Sequence, residues 1–261
     1  MSLSSEQSLQ EQEYEIPYHY LINWNSLLSF PDKLHSAPIY LFYLKDIIDK
    51  LGPLNREMRV LDAGCGDGRL IYELRTSGCE ATLVGIDYSE RAVQFARVFN
   101  PDVDFSVDDL TRPKNMHVEP FDVVVSVETL EHIEPAQLQS VVDYLAGCVK
   151  PGGRLVVTVP HKNRPMDPKH YQHFSADSLR HALLKSFESI EIYGFYRRTH
   201  KEIILKTVTA LYYFIYPLKK VGMEKMVDAV SRAGFSYFKK NLGHCGPDEG
   251  QSLIAVCHKS P

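Results

Sequence analysis

Arg59-Val60-Leu61-Asp62-Ala63-Gly64-Cys65-Gly66-Asp67-Gly68 is an apolar strand that runs into three glycines at alternate positions. Glycine tolerates positive φ and has no Cβ, so a strand can turn sharply into a helix there with its backbone close against a ligand. The turn predicts a nucleotide-type pocket. The dinucleotide fingerprint is spaced GxGxxG, whereas this one reads GxGxG with an acid, Asp62, two residues ahead of the first glycine. That carboxylate would repel a pyrophosphate and attract an ammonium group on a ligand without phosphate. Ala81-Thr82-Leu83-Val84-Gly85-Ile86-Asp87 then reads as a second buried strand ending in an acid, placed to take both hydroxyls of a ribose. Adenosine joined to an amino acid fits both ends.

Outward from this pair, Tyr40, Leu41, Leu44, Ile47, Ile48 and Leu51 recur at helical spacing between Pro38 and Gly52-Pro53. Arg69 to Thr76 continues the glycine turn as a helix, and Ser89 caps another through Phe99. Val103 to Asp109 reads as a third strand ending in acids. Its doublet leaves the register open by one: Asp108 is favoured as acceptor from an exocyclic adenine amine, with the backbone of Asp109 and Leu110 against the ring, and a solvated turn is the plainer alternative. Phe121 to Val127 is a continuous apolar run, typical of a strand buried on both faces, and delivers Glu128-Thr129-Leu130-Glu131-His132 to the carboxyl edge of the sheet. A helix from Leu138 to Val149, the turn Lys150-Pro151-Gly152-Gly153, and strands at 154–159, 190–195 and 252–258 complete the alternation. The expected fold is α/β: a Rossmann-like sheet of seven mostly parallel strands, with a helical insertion before the last.

VLDAGCGDG together with GIDYS and the KPGG turn resembles the class I S-adenosylmethionine-dependent methyltransferases, over roughly residues 56 to 195 plus the final strand. The resemblance implies S-adenosylmethionine bound by Asp62, Gly64, Cys65, Gly66, Asp87, Tyr88, Asp108, Asp109, Leu110 and Val127. It also makes Tyr18, His19 and Tyr20 lid candidates, within an aromatic segment running through Trp24 and Phe30 whose plainer role is packing.

A hydroxyl acceptor needs a proton removed as well as alignment behind the methyl group. Glu128, Glu131 and His132 sit where such a catalytic group is needed, and the 159–174 loop brings His161, His170 and His173 to the same edge. Carboxylates and imidazoles also suit Mg²⁺ or Mn²⁺, which would hold a substrate hydroxyl and lower its pKa. The ExxEH pattern with a later histidine resembles ubiquinone-biosynthesis O-methyltransferases and small-RNA 3′-end 2′-O-methyltransferases. Carried over by position, the metal ligands would be Glu128, Glu131, His132 and His170, with His173 competing for the fourth place. His132 as a metal-free base, and carboxylates that merely organise a helix start, stay open.

The net charge of −4 favours no nucleic-acid partner, which makes RNA a minor alternative. Five cysteines without a CxxC pair point to a reducing, cytoplasmic setting; neither a secretory signal nor a membrane-spanning run is legible. Residues 1–13 are expected to be a disordered tail. Residues 14–198 with 246–261 are expected to form the methyltransferase domain with its N-terminal lid, and 199–245 a helical cap. The expected acceptor is a small molecule, lipid-like or saccharide. The aromatic and basic run within 203–220 also suits peripheral membrane contact or a homodimer interface. A non-catalytic S-adenosylmethionine-binding protein is the alternative from another class.

Overall fold

The computed structural model describes residues 5–21, 37–114 and 119–261; Trp24 and Phe30 of the expected aromatic lid lie outside them. The elements run α1 (Ser5–Glu13), α2 (Ala37–Leu51), β1 (Arg59–Ala63), α3 (Arg69–Thr76), β2 (Thr82–Asp87), α4 (Glu90–Phe99), β3 (Asp104–Val107) and β4 (Phe121–Val127). They continue as α5 (Leu138–Cys148), β5 (Val149–Pro160), α6 (Ala176–Leu183), β6 (Ser189–Arg197), α7 (Glu202–Ile215), α8 (Glu224–Phe238), β7 (His244–Cys245) and β8 (Gly250–His258).

The strands form one sheet in the order β3-β2-β1-β4-β5-β8-β6-β7. The first five pair in parallel, and β8 lies antiparallel between β5 and β6. The expected seven strands become eight because the chain re-enters the sheet as the two-residue β7, pairing Gly194 with Cys245 and Phe195 with His244 on the far edge. A two-residue strand carries no hydrophobic period to read.

Alternation along each strand sorts the core into two layers. Leu61, Val124, Leu155 and Val157 meet α5 and α6 through Val141, Leu145, Leu179 and Leu183. Val60, Val123, Val125 and Val156 meet α2, α3 and α4 through Ile47, Leu51, Leu74 and Val93. With both faces covered, the polar site is pushed to the ends of the strands. The chain leaves β1 toward β2 on one side and returns as β4 on the other, so the carboxyl ends of β1 and β4 part at a topological switch point.

Residues 5–13, expected as a disordered tail, form α1. Their composition offers little to bury, and contacts with the rest of the chain compensate. The Tyr171 hydroxyl donates to Glu6 at 2.9 Å, Lys169 pairs with Glu13 at 2.5 Å, and Tyr14 just beyond the helix is buried against the glycine turn.

In that turn Gly64 has φ +83°, and a Cβ on it would lie 2.4 Å from Thr129 Oγ1. Both the left-handed backbone and the overlap penalise any side chain. Gly64→Ala should therefore lower stability by about 2 kcal/mol or more in urea titration, with the slope unchanged.

Candidate active site

A cavity of about 600 Å³ opens at the switch point. One wall carries Asp62, Gly64, Cys65 and Gly66, and Val127, Glu128, Glu131, His132 and His170 line the other end. Asp62 is 3% exposed, and its carboxylate takes no hydrogen bond among the described residues. Burial, with the neighbouring Asp87 carboxylate, pushes its pKa up to about 8.

Asp87 is held differently. Its carboxylate accepts from the Gly66 N–H at 2.8 Å and the Ser89 N–H at 2.9 Å. Burial raises its pKa to about 6, moderated by those two N–H donors. Asp87 and Tyr88 are not in the cavity lining, and the Tyr88 hydroxyl donates to the Gln7 carbonyl of α1 at 3.5 Å. Asp108 and Asp109 close their own turn. Asp108 accepts from the N–H groups of Asp109 and Lys114, both at 3.0 Å, and Asp109 from the Thr111 N–H and hydroxyl. Leu110 is buried in the core. The structure thus gathers the β1 and β4 residues in one cavity and places the adenine-side candidates outside its lining.

At the far end, Glu128 directly follows β4, and its φ of +48° is left-handed. The buried Tyr43 hydroxyl donates to one of its oxygens at 2.5 Å, and Arg164 reaches the other at 3.4 Å. The next turn places Glu131 fully buried, with neither carboxylate oxygen hydrogen-bonded among the described residues. Burial and the Glu128 charge hold its pKa well above the usual carboxylate range. Glu131, His132 and His170 each offer one ligand atom, all within 4.8 Å of one another. Glu128 is outside this group, held by Tyr43 and Arg164.

Backbone carbonyls set the histidine tautomers. His132 Nδ1 lies 3.1 Å from the Lys169 carbonyl, which can only accept, so the proton sits on Nδ1 and Nε2 keeps its lone pair. His173 Nδ1 likewise donates to the Arg164 carbonyl at 3.1 Å. Its bare Nε2 accepts from His170 Nδ1 at 2.8 Å, leaving His170 Nε2 bare as well. His173 therefore stands behind His170 as its orienting partner. Burial lowers the His132 pKa to about 4, and burial with the adjacent His132 lowers that of His170 to about 3, so both are neutral at pH 7.

A family model described as a methyltransferase domain matches residues 40–190, more than half of the chain. The chain belongs to the methyltransferase-domain family. A ubiquinone biosynthesis O-methyltransferase from Thiobacillus denitrificans is 37% identical over 121 residues, covering 44% of this chain and 50% of the relative. The chain spans about half the length of the curated relatives it matches. Among solved structures, a SAM-dependent methyltransferase from Thermotoga maritima, described as a possible histamine N-methyltransferase, superposes with a TM-score of 0.61 at 16% identity, covering 98% of this chain and 100% of that one. The [4+2]-cyclase SpnF superposes with a TM-score of 0.58 at 17% identity, covering 100% and 98%. The fold is that of the class I methyltransferases, and S-adenosylmethionine is the donor that the family implies.

The residues present fit that donor: Asp62 is an unpartnered acid facing the cavity beside a glycine turn, and the donor carries an ammonium group. The N-terminal segment expected as a lid packs at the cavity. Tyr18 and His19 line the cavity, His19 Nδ1 lies 3.0 Å from Asp67, and Arg69 donates to the His19 carbonyl. Tyr20 is not in the lining; it stacks on Phe99 at 3.7 Å and anchors the segment. Tyr43, Arg164 and Lys169 were not legible as site residues. Tyr43 belongs to the apolar stripe of α2, and the other two lie in a polar loop without spacing.

Cofactor binding should titrate Asp62. In the protein alone its raised pKa favours the neutral form below about pH 8, whereas a bound ammonium favours the carboxylate. Binding at pH 7 should therefore release close to one proton, and affinity should rise with pH toward 8, above which the ligand amine itself deprotonates. Calorimetry in buffers of differing ionisation enthalpy measures this. Asp62→Asn should abolish the release and weaken binding by about 2 kcal/mol.

Proposed function

We propose that the protein is an S-adenosylmethionine-dependent O-methyltransferase acting on a hydroxyl of a small molecule, lipid-like or saccharide, with a divalent ion such as Mg²⁺ or Mn²⁺ at Glu131, His132 and His170. The observation that carries the metal is Glu131: a fully buried carboxylate with both oxygens unpaired, beside two neutral imidazoles that each offer a ring nitrogen within 4.8 Å of it. A buried carboxylate without a partner is unfavourable, and a cation there would stabilise its charged form. When bound, such an ion would lower the pKa of the acceptor hydroxyl as a Lewis acid. Tyr43 and Arg164 steady Glu128 beside the group, and the Lys169 carbonyl together with His173 fixes both imidazoles. The name of the Thiobacillus relative supports oxygen as the acceptor atom.

The second reading, His132 as a metal-free base, draws on the same bare Nε2. A pKa of about 4 makes it a weak base, since a general base works best near the operating pH. Chelation should stop turnover and leave cofactor affinity unchanged, with recovery on adding Mn²⁺. Glu131→Gln, His132→Ala and His170→Ala should each lose roughly 100-fold or more in kcat, non-additively because they serve one ion. Full activity in chelator with loss only in His132→Ala would establish the base.

Residues 199–245 act in this reading as a cap on the acceptor end. Tyr196, Arg198, Glu202 and Lys206 line the cavity, and Tyr196, like Glu128, has a left-handed φ, +60°. Replacing residues 203–238 by a short linker should leave cofactor affinity intact and abolish turnover. Retained turnover in that folded variant removes the cap assignment.

A further inference from the structure

Helix α7 is apolar on both faces. Leu205 is buried in the main core, and Tyr212 and Ile215 are buried against Val227 of α8. The opposite face carries Ile203, Ile204, Leu211 and Phe214, which are 68%, 49%, 48% and 85% exposed. At about 100° per residue these four positions fall within one stripe. Beyond the helix the apolar surface continues through Val221, Met223 and Met226, 71%, 42% and 39% exposed. A helix apolar all round is ordinarily covered, and contiguous exposed apolar residues on this scale mark an interaction surface.

Charge identifies what covers it. Residues 201–240 hold eight Lys and Arg against three Asp and Glu, a net +5 in a chain whose total is −4, which leaves −9 on the remainder. Lys220 and Lys225 are exposed beside the apolar tip, and Lys219 pairs with Asp228 at 2.6 Å. Two copies meeting through this face would bring two positive surfaces together. An anionic surface with an apolar interior complements both properties at once, and the acidic remainder of the molecule would orient the positive end toward it.

We infer that the α7–α8 hairpin docks on anionic lipid bilayers, lying in the interface with Phe214, Leu211 and the Val221–Met226 tip among the acyl chains and the lysines at the headgroups. No helix among the described residues is long and apolar enough to cross a membrane, so the contact is peripheral. Glu202 and Lys206 on the same helix line the cavity, so docking sets the cavity mouth beside the bilayer, from which an apolar acceptor could enter without crossing water.

Vesicle flotation of the full-length protein tests this without reference to turnover. The protein should float with mixed phosphatidylcholine–phosphatidylglycerol vesicles at low salt and stay behind with pure phosphatidylcholine. Leu211→Ser with Phe214→Ser should lower partitioning on the order of tenfold or more. Lys220→Glu with Lys225→Glu should lower it by at least roughly fivefold per lysine. These residues are exposed, and an unchanged thermal midpoint establishes that each variant is folded. Absence of flotation with anionic vesicles, or flotation that the folded variants retain, overturns the inference. So does light scattering that shows a dimer dissolved by the Leu211 and Phe214 substitutions, which would assign the face to a second copy.

Discussion

Three carboxylates at the carboxyl ends of adjacent parallel strands, Asp62, Asp87 and Glu131, are removed from water with no protein cation bonded to them among the described residues. A dry carboxylate needs donors or a counter-charge to stay ionised. Asp87 has two backbone N–H donors, and Asp62 and Glu131 have none. The sheet holds them there because both of its faces are covered by helices, so the strand ends are where polar groups can meet a ligand. The cations that line the cavity pair with other carboxylates, Arg69 with Glu73, Arg164 with Glu128, Lys169 with Glu13, and Arg198 and Lys206 with Glu202, so none of them neutralises Asp62 or Glu131. The perturbed acids, the glycine turn and the switch point are thus parts of one arrangement.

Rigid support surrounds these acids. Glu128 and Tyr196 are the non-glycine residues with left-handed φ among those described, and both line the cavity. Such backbone is unfavourable for residues with a Cβ and persists where neighbours fix it. Tyr43 from α2 does so for Glu128, tying the helix before β1 to the end of β4. The histidines are fixed by carbonyls of the 159–174 loop, whose position depends in turn on Tyr171 and Lys169 bonding to Glu131 and Glu13. The loop, α1 and the carboxyl edge of the sheet therefore form one mechanical unit.

Neighbours that share this fold at 16–17% identity include a possible N-methyltransferase and a [4+2]-cyclase. The scaffold alone does not select the chemistry. Discrimination rests on which side chains project at the ends of β4 and β5. Here a buried carboxylate stands beside two neutral imidazoles. The segment that contains it lies within the 40–190 domain match.

How much of this was legible depends on how local each cause is. The glycine turn and the alternation of strands and helices were read correctly from sequence because backbone sterics and hydrophobic period act over a few residues. The ExxEH run was legible for the same reason, since strand β4 ends there whatever surrounds it. The helix at 5–13 was not: its ordering comes from Tyr171 and Lys169, more than 150 residues away. The two-residue β7 exists only because β6 presents an edge for it. Only tertiary structure distinguished His170 from His173, since the Arg164 carbonyl sets the His173 tautomer and His173 Nε2 in turn sets that of His170. It also drew Glu128 toward Tyr43 and left Glu131 unpaired. The sequence by itself determined the scaffold and the edge at which the cavity opens. Which atoms face one another there was decided by long-range packing, because burial and hydrogen-bond partners are properties of the assembled chain.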